Sequence, residues 1–479
     1  MKTQYTKVES SLNLHYNQVN SPSEEEALVS NDGYEKIDSL TLYIPDSINL
    51  DRILEQNPPD FKYHKDCFVY ILSLITSIPS NRRELIDDNH GFTPINKKIL
   101  QMRIKNYREH INYLISMRIV EENSFYIPGK VSKGLKFCDN YNTRIAPVEI
   151  TKWTLIKSIL YLNWEYNEER TEELSSLKKW FNDKLQVDFV NGSNYLYQEY
   201  LKDVNDDEVK YPELTFNSRL LPLQKLYRKE YSFYVDDTGY RLHTGLTQLK
   251  SELRNYLKYA GKTLCSIDIT NSQPYLAIAL LDKEAFIRND IHTYITNPNL
   301  TSLPSFPNMV VKIIEENENK EDVLLFKELV SKGEFYEGFG KVLMDNGLID
   351  KKTLNEARNE AKEIAFSSIY SPNRHIGSNE AIQLFKSQFP NVFEVFKLIK
   401  KGAKCHNTLS IALQRFEAEV VLHKTCKLIS IERPEIPLFT IHDSIITTEE
   451  NVEFVENKLS EVLFQCIGFK PSLKKESWN

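Results

Sequence analysis

Residues 357–373 read ARNEAKEIAFSSIYSPN, and two faces are written into them. On a helix of about 100° per residue with Arg358 at the origin, Lys362 falls at about 40°, Phe366 at about 80° and Tyr370 at about 120°. Ala357, Ala361, Ile364, Ala365 and Ser368 fall together between about 240° and 340°. That second group is a small-residue face suited to close packing. An ordinary amphipathic helix would put Phe366 with the alanines and spread the cations beside Glu360 and Glu363. Here the rings continue the cations instead. Two positive charges one turn apart, followed by two rings, suit a phosphate chain held at one end and a base stacked at the other.

Two further stretches place an acid at the end of a β-rich run. TLCSIDITNSQPYLAIALL, residues 263–281, reads as a strand ending in Asp268 followed by an apolar helix. PLFTIHDSIITTEE, residues 437–450, reads as a hairpin with His442-Asp443 at its tip. Alone, each aspartate has a plainer reading: Asp268 as the N-cap of the helix after it, Asp443 as a turn residue.

Taken together, these stretches resemble the family A DNA polymerases. Arg358, Lys362, Phe366 and Tyr370 keep every spacing of that family's nucleotide-binding fingers helix, R-x3-K-x3-F-x3-Y. The 263–281 stretch is similar to its motif A, whose strand-end aspartate is a metal ligand. The 437–450 stretch resembles motif C, with Ser444 following the His-Asp-Ser form of the single-subunit phage-type RNA polymerases. More weakly, TGYRLHT (238–244) and SIALQRFEAEVV (410–421) resemble segments that touch the primer-template, through Arg241 and Gln414. The likeness covers roughly residues 230–475 and departs from the standard pattern in four places. Ser367 and Ser371 stand where glycines are usual, and Gln273 replaces the glutamate that guards the sugar 2′ position. Ser444 is the third, and the long segment between motif A and the helix the fourth. Such departures resemble the divergent polymerases of bacterial transposons and viruses, which belong to mobile genetic elements.

The resemblance implies an α+β fold, with a right-hand palm and fingers in residues 231–479, and a nucleotidyltransferase that extends a primer 3′-hydroxyl. It implies two Mg²⁺ ions, replaceable by Mn²⁺, about 3.5–4 Å apart, on Asp268, Asp443 and the carbonyl of Ile269. Lys362 would meet the γ-phosphate and protonate the leaving pyrophosphate, with Arg358 gripping the same tail. Phe366 would stack on the incoming base, Tyr370 would sit where the template base enters, and Gln273 would lie at the sugar. His442 would contact the primer-terminal backbone or act as a structural turn histidine; His406 and His423 read as structural. Two alternatives stand beside a DNA polymerase. One is an RNA polymerase or primase with the same site. The other is a non-catalytic winged-helix accessory or regulator that binds DNA.

Upstream, residues 1–60 read as a loosely ordered arm with one strand, SLTLYIP, and residues 141–230 as a helical, thumb-like or spacer region. Between them, 61–140 gives helices CFVYILSLITSI and YREHINYLISMRI, then an alternating stretch turned at Pro128-Gly129. Helix, turn, helix and wing is the order of a winged-helix domain. Lys97, Lys98, Arg103, Lys105 and Arg108, with Lys130, Lys133 and Lys136 of the wing, would touch phosphates, or the unit would serve as a protein-binding module.

Composition bounds these readings without deciding them. The 479 residues carry 60 Lys and Arg against 67 Asp and Glu, a net charge of −7, which does not advertise a polyanion partner but hides any local basic channel. The six cysteines form no CxxC or Cys/His ligand pattern, arguing against zinc or a disulfide frame and for a reducing cytoplasm. No stretch approaches the roughly 20 apolar residues of a membrane span. The partners expected are a primer-template and nucleoside triphosphates, with no membrane.

Overall fold

The computed structural model describes residues 37–124, 133–160, 170–303, 305–349, 354–377, 379–402 and 405–479. The class is α+β, with every strand pairing antiparallel. The site is built on a six-stranded sheet. Its central strand, Lys262–Ile269, pairs with Ser444–Thr448, Leu473–Ser477 and Leu257–Tyr259. Phe439–Ile441 extends it beyond Ser444–Thr448, and Leu185–Val187 beyond Leu257–Tyr259. The central strand carries Leu264, Ile267 and Ile269 into the main core, and its run of four consecutive buried residues, 264–267, shows that both its faces are covered.

Between the central strand and the hairpin at 439–448 the chain is helical. Phe306–Asn317, Glu321–Lys332, Phe335–Asp345, Leu354–Tyr370, Glu380–Gln388 and Pro390–Ile399 pack around a cluster of rings, including Phe326–Phe335 at 5.2 Å and Phe385–Phe389 at 5.4 Å between centroids. The expected small-residue face is the packed one: Ala357, Ala361, Ala365 and Ser368 are buried. It lies against helix Phe335–Asp345 so tightly that a Cβ on Gly340 would stand 3.3 Å from Ala361 Cβ and 3.4 Å from Ala357 O. A glycine facing alanines is what lets the two backbones approach.

A second core holds residues from Leu40 to Leu160. Its centre is helix Lys65–Asn81, apolar all round and buried along most of its length. Strand Thr93–Pro94, helices Lys97–Arg103 and Tyr107–Ser116, and strands Val120–Glu122 and Gly134–Phe137 follow, the three strands forming one small sheet. The turn at Pro128-Gly129 and the cation Lys130 lie outside the described residues. This packed unit is wider than 61–140: strand Leu40–Pro45 pairs with Ile145–Ile150, so chain read as arm and chain read as spacer close one sheet. Residues read as spacer also enter the main core, since Leu185–Val187 joins the large sheet and helices Phe189–Val204 and Pro212–Tyr227 bury Leu196, Leu220, Leu223 and Leu226 there. No helix among the described residues is long and apolar enough to cross a membrane. None of the six cysteines is disulfide-bonded.

Candidate active site

Asp268 sits one residue from the end of the central strand, opposite Ser444 as the pairing of Ile267 with Ile445 requires. It does not cap the helix that follows; Asn271 occupies that position. Its two carboxylate oxygens instead accept hydroxyl hydrogen bonds, Oδ2 from Ser266 at 2.9 Å and Oδ1 from Ser444. Asp443 lies in the two-residue turn between Ile441 and Ser444, beside His442, whose backbone is left-handed at φ 54°. Removal from water raises the Asp443 pKa, and the nearby Asp268 charge raises it further, against the pull of Ser272 and Arg241. The two carboxylates thus stand at the ends of adjoining strands on a rigid sheet, close enough for the Asp268 charge to act on Asp443.

The donors fit a hard divalent ion. All are oxygens, and among the described residues no cluster of three or more His, Cys, Asp or Glu side chains is present. Mg²⁺ keeps several waters and binds through one or two carboxylates plus substrate phosphates, so two aspartates suffice where a caged ion would need more. Ile269 ends the strand opposite Leu473. Asn271, buried at 7% exposure with left-handed φ 54°, leaves both Oδ1 and Nδ2 without a hydrogen bond three residues from Asp268. Buried amides are nearly always satisfied, so this one keeps donor and acceptor capacity for a ligand.

The cation and ring face of helix Leu354–Tyr370 leads to these carboxylates. Tyr370, its last residue, directs its hydroxyl to Gln273 Oε1 at 3.5 Å. Phe366 stacks on Tyr370 with centroids 5.7 Å apart and planes 22° from parallel. Lys362 is exposed, 5.9 Å over the Phe366 ring, and among the described residues no carboxylate pairs with it. Arg358, one turn further out, donates from Nε to Glu337 Oε1 at 2.6 Å. Buried Tyr336 packs between them, 6.2 Å from Phe366 and under Arg358, and feels the Asp443 charge.

Glu417 ties the remaining parts together. It is buried at 1% exposure and forks onto Arg241, Nε to Oε1 at 2.8 Å and Nη2 to Oε2 at 2.9 Å, while Gln273 Nε2 donates to Oε2 at 2.6 Å. Burial pushes its pKa up to about 7 despite Arg241. Gln273 is therefore bonded on both sides, to Glu417 and to Tyr370. Arg241 is further fixed by the turn Asp236–Arg241, in which Asp236 accepts from the amides of Thr238, Gly239 and Arg241. Gln414 rests on that turn at Gly239, where a Cβ would come within 2.7 Å of its Oε1. His442 is exposed at the hairpin tip, its ring 6.1 Å from that of His243.

The site thus brings together Asp268, Asp443, Gln273, Arg241, Phe366 and Tyr370, with Lys362 and Arg358 along the same helix face. Arg241, Gln414 and His442 share a cleft of about 980 Å³ beside it. Arg108 is elsewhere, in the N-terminal unit, where it pairs with Glu122 at 2.8 Å. Sequence reading missed Tyr336 and Glu417, the second although it stands in the quoted stretch 410–421. Its one signal was an acid on the helix face next to Gln414.

No family model matches the sequence, and no curated protein matches it. Among solved structures the chain is similar to the POL domain of Pol1 from M. smegmatis in complex with a DNA primer-template and dNTP, at 11% identity and TM-score 0.33, over 68% of this chain and 73% of that one. At that level the likeness fixes neither fold family nor function.

Proposed function

We propose that the chain is a template-directed nucleotidyltransferase, a DNA polymerase that adds nucleotides to a primer 3′-hydroxyl, with palm and fingers in the C-terminal half and a winged-helix unit before them. The observation that carries this reading is the convergence of Asp268 and Asp443 under the aromatic end of a helix whose other end bears Lys362 and Arg358. One pair of carboxylates, one stacking surface and one cationic tail grip are the parts that phosphoryl transfer needs.

When bound, Mg²⁺ supplies charge neutralisation at the triphosphate and a more acidic primer hydroxyl. Asp268 and Asp443 would hold it, with the Ile269 carbonyl as a further oxygen; Ser266 and Ser444 aim Asp268. Lys362, with no carboxylate to release, takes the triphosphate tail and holds a proton for the leaving pyrophosphate. Arg358 exchanges Glu337 for phosphate at little cost, since a surface pair contributes only about 0–1 kcal/mol. Phe366 offers its ring to the incoming base, which tolerates all four bases, so choice among them falls to the template. Glu417 holds Arg241 and Gln273 in place, and Gln273 sets Tyr370.

A ribonucleotide-using polymerase or primase is the second reading. What favours it is that position 273 bears a neutral amide already engaged by Glu417 and Tyr370, leaving no free carboxylate there to exclude a 2′-hydroxyl. Extension of a labelled primer on a DNA template with Mg²⁺, comparing deoxyribonucleotides and ribonucleotides, separates the two. Extension by deoxyribonucleotides is expected; extension by ribonucleotides alone would replace the first reading with the second. Duplex binding without extension under any metal would remove both.

A further inference from the structure

The N-terminal unit carries two sets of cations, and the structure treats them differently. Five of those that the sequence offers for phosphate contact already have a partner. Lys97, Arg108 and Lys133 surround Glu122 at 3.3, 2.8 and 4.0 Å, and Lys136 pairs with Glu121 at 3.1 Å. Arg103 donates to the Tyr70 hydroxyl. The other set lies at the end of helix Lys65–Asn81, in Arg82 and Arg83. Both line the 980 Å³ cleft that also holds Arg241, Gln414 and His442, although they come from the other hydrophobic core.

Arg254 lines the same cleft, and among the described residues none of Arg82, Arg83 and Arg254 makes an ion pair, although Glu84 and Glu252 stand in the same lining. Arg83 is anchored by donating to Gln248 O at 3.1 Å, and burial and Arg219 lower its pKa. Arg254 leaves its buried Nε without a hydrogen bond and feels the Asp268 charge. Burial strips water from Arg83 and Arg254 and Glu252 on the same wall offsets it only in part, so a polyanion seated in the cleft would supply the missing partners. The lining has a single aromatic ring besides histidine, Tyr234, and is otherwise rich in small polar side chains such as Ser80, Thr247 and Ser410. Grooves for single strands stack bases on rings; arginines and hydroxyls suit the sugar-phosphate backbone of a duplex.

We infer that Arg82 and Arg83 form one wall of a duplex track, so that the N-terminal unit grips the sugar-phosphate backbone of double-stranded nucleic acid continuous with the candidate active site. This rests on the polymerase reading for what the duplex is, but not for whether it binds. The test is binding of a labelled primer-template to the full chain over a range of salt, without nucleotide. Arg82→Ala is expected to weaken binding and to lower the slope of log K against log salt by about one, as the loss of one phosphate contact does. Arg82→Lys should restore the slope, and Lys312→Ala, on a remote exposed helix, should change nothing. Unchanged affinity and slope in Arg82→Ala would overturn the inference, as would a drop seen only in Arg108→Ala, or equal binding of single strand and duplex. Primer extension by the wild-type chain tests the other reading separately: extension with an unchanged Arg82→Ala slope sinks the track alone, and a lost slope without any extension sinks the polymerase alone.

Discussion

Glu417 is a carboxyl in the interior, and its environment ties part of the protein's stability to pH. Its pKa stands at about 7 in the fold because burial disfavours the charge more than Arg241 favours it. The ordinary glutamate value is about 4.3. Between those values the unfolded chain has released this proton and the folded chain has kept it, so stability is highest below the lower value and falls as pH rises through about 7. The loss is on the order of 4 kcal/mol at about 1.4 kcal/mol per pH unit. Melting of wild type and Glu417→Gln near pH 5 and near pH 8 checks this: wild type should lose ground to the variant at the higher pH, and parallel profiles would contradict it. Glu417→Ala should be worse at any pH, since it strands Arg241, whose side chain is 22% exposed. Breaking such a pair costs about 3–5 kcal/mol. None of this was legible in the sequence: the partner Arg241 is 176 positions away, and an acid in QRFEAEVV looks like any surface charge. The aspartates were legible because each closes a short apolar run, and Ser266 shares a strand face with Asp268 two residues on, whereas the contact from Ser444 depends on a strand register that no local pattern states.

The proposed function assigns nucleotide handling to helix Leu354–Tyr370, and this helix is held from two sides. Along its length, Ala361 meets Gly340, and Ala361→Leu would force the two helices apart. Overpacking of this kind costs about 1–3 kcal/mol. It should raise the nucleotide KM while leaving primer-template affinity unchanged; a loss of primer-template affinity with normal KM would contradict that role. At its C-terminal end, buried Lys400 donates to the carbonyls of Ile369 and, at 3.0 Å, Ser371. Burial lowers the pKa of Lys400 to about 8, which the two carbonyls at the negative end of the helix dipole make tolerable. Lys400→Met should speed hydrogen exchange across residues 367–371, and unchanged protection there would show that the lysine does not hold the end. The two faces of this helix were legible because helical periodicity is a local property. Its two clamps were not, since Gly340 and Lys400 come from other helices.

At the scale of the whole molecule, two hydrophobic cores meet where Tyr43 and Ile145 of the N-terminal strands enter the main core, and buried polar bonds reinforce that junction. Asn217, buried at 3% exposure, donates to Thr143 O at 2.8 Å and accepts from Ile145 N at 3.1 Å, and the Tyr43 hydroxyl donates to Glu230 at 2.7 Å. Asn217→Ala would leave a backbone donor and acceptor unpaired in the interior, at a cost of about 1–3 kcal/mol. Proteolysis near residues 141–151 should then be faster than in wild type, and equal rates would show that the junction does not depend on it. Composition could not reveal this coupling, nor that Lys97, Arg108 and Lys133 gather around the one carboxylate of Glu122, because a net charge of −7 sums over distance. The reach of strand Leu40–Pro45 across to Ile145–Ile150 is likewise invisible to any local window. The central claim concerns the two carboxylates, and primer extension with Mg²⁺ and deoxyribonucleotides by wild type and Asp443→Asn, with primer-template binding and melting measured in parallel, tests it most directly. The account expects extension by wild type and none by Asp443→Asn, which still folds and binds the duplex; extension by the variant at the wild-type rate would contradict it.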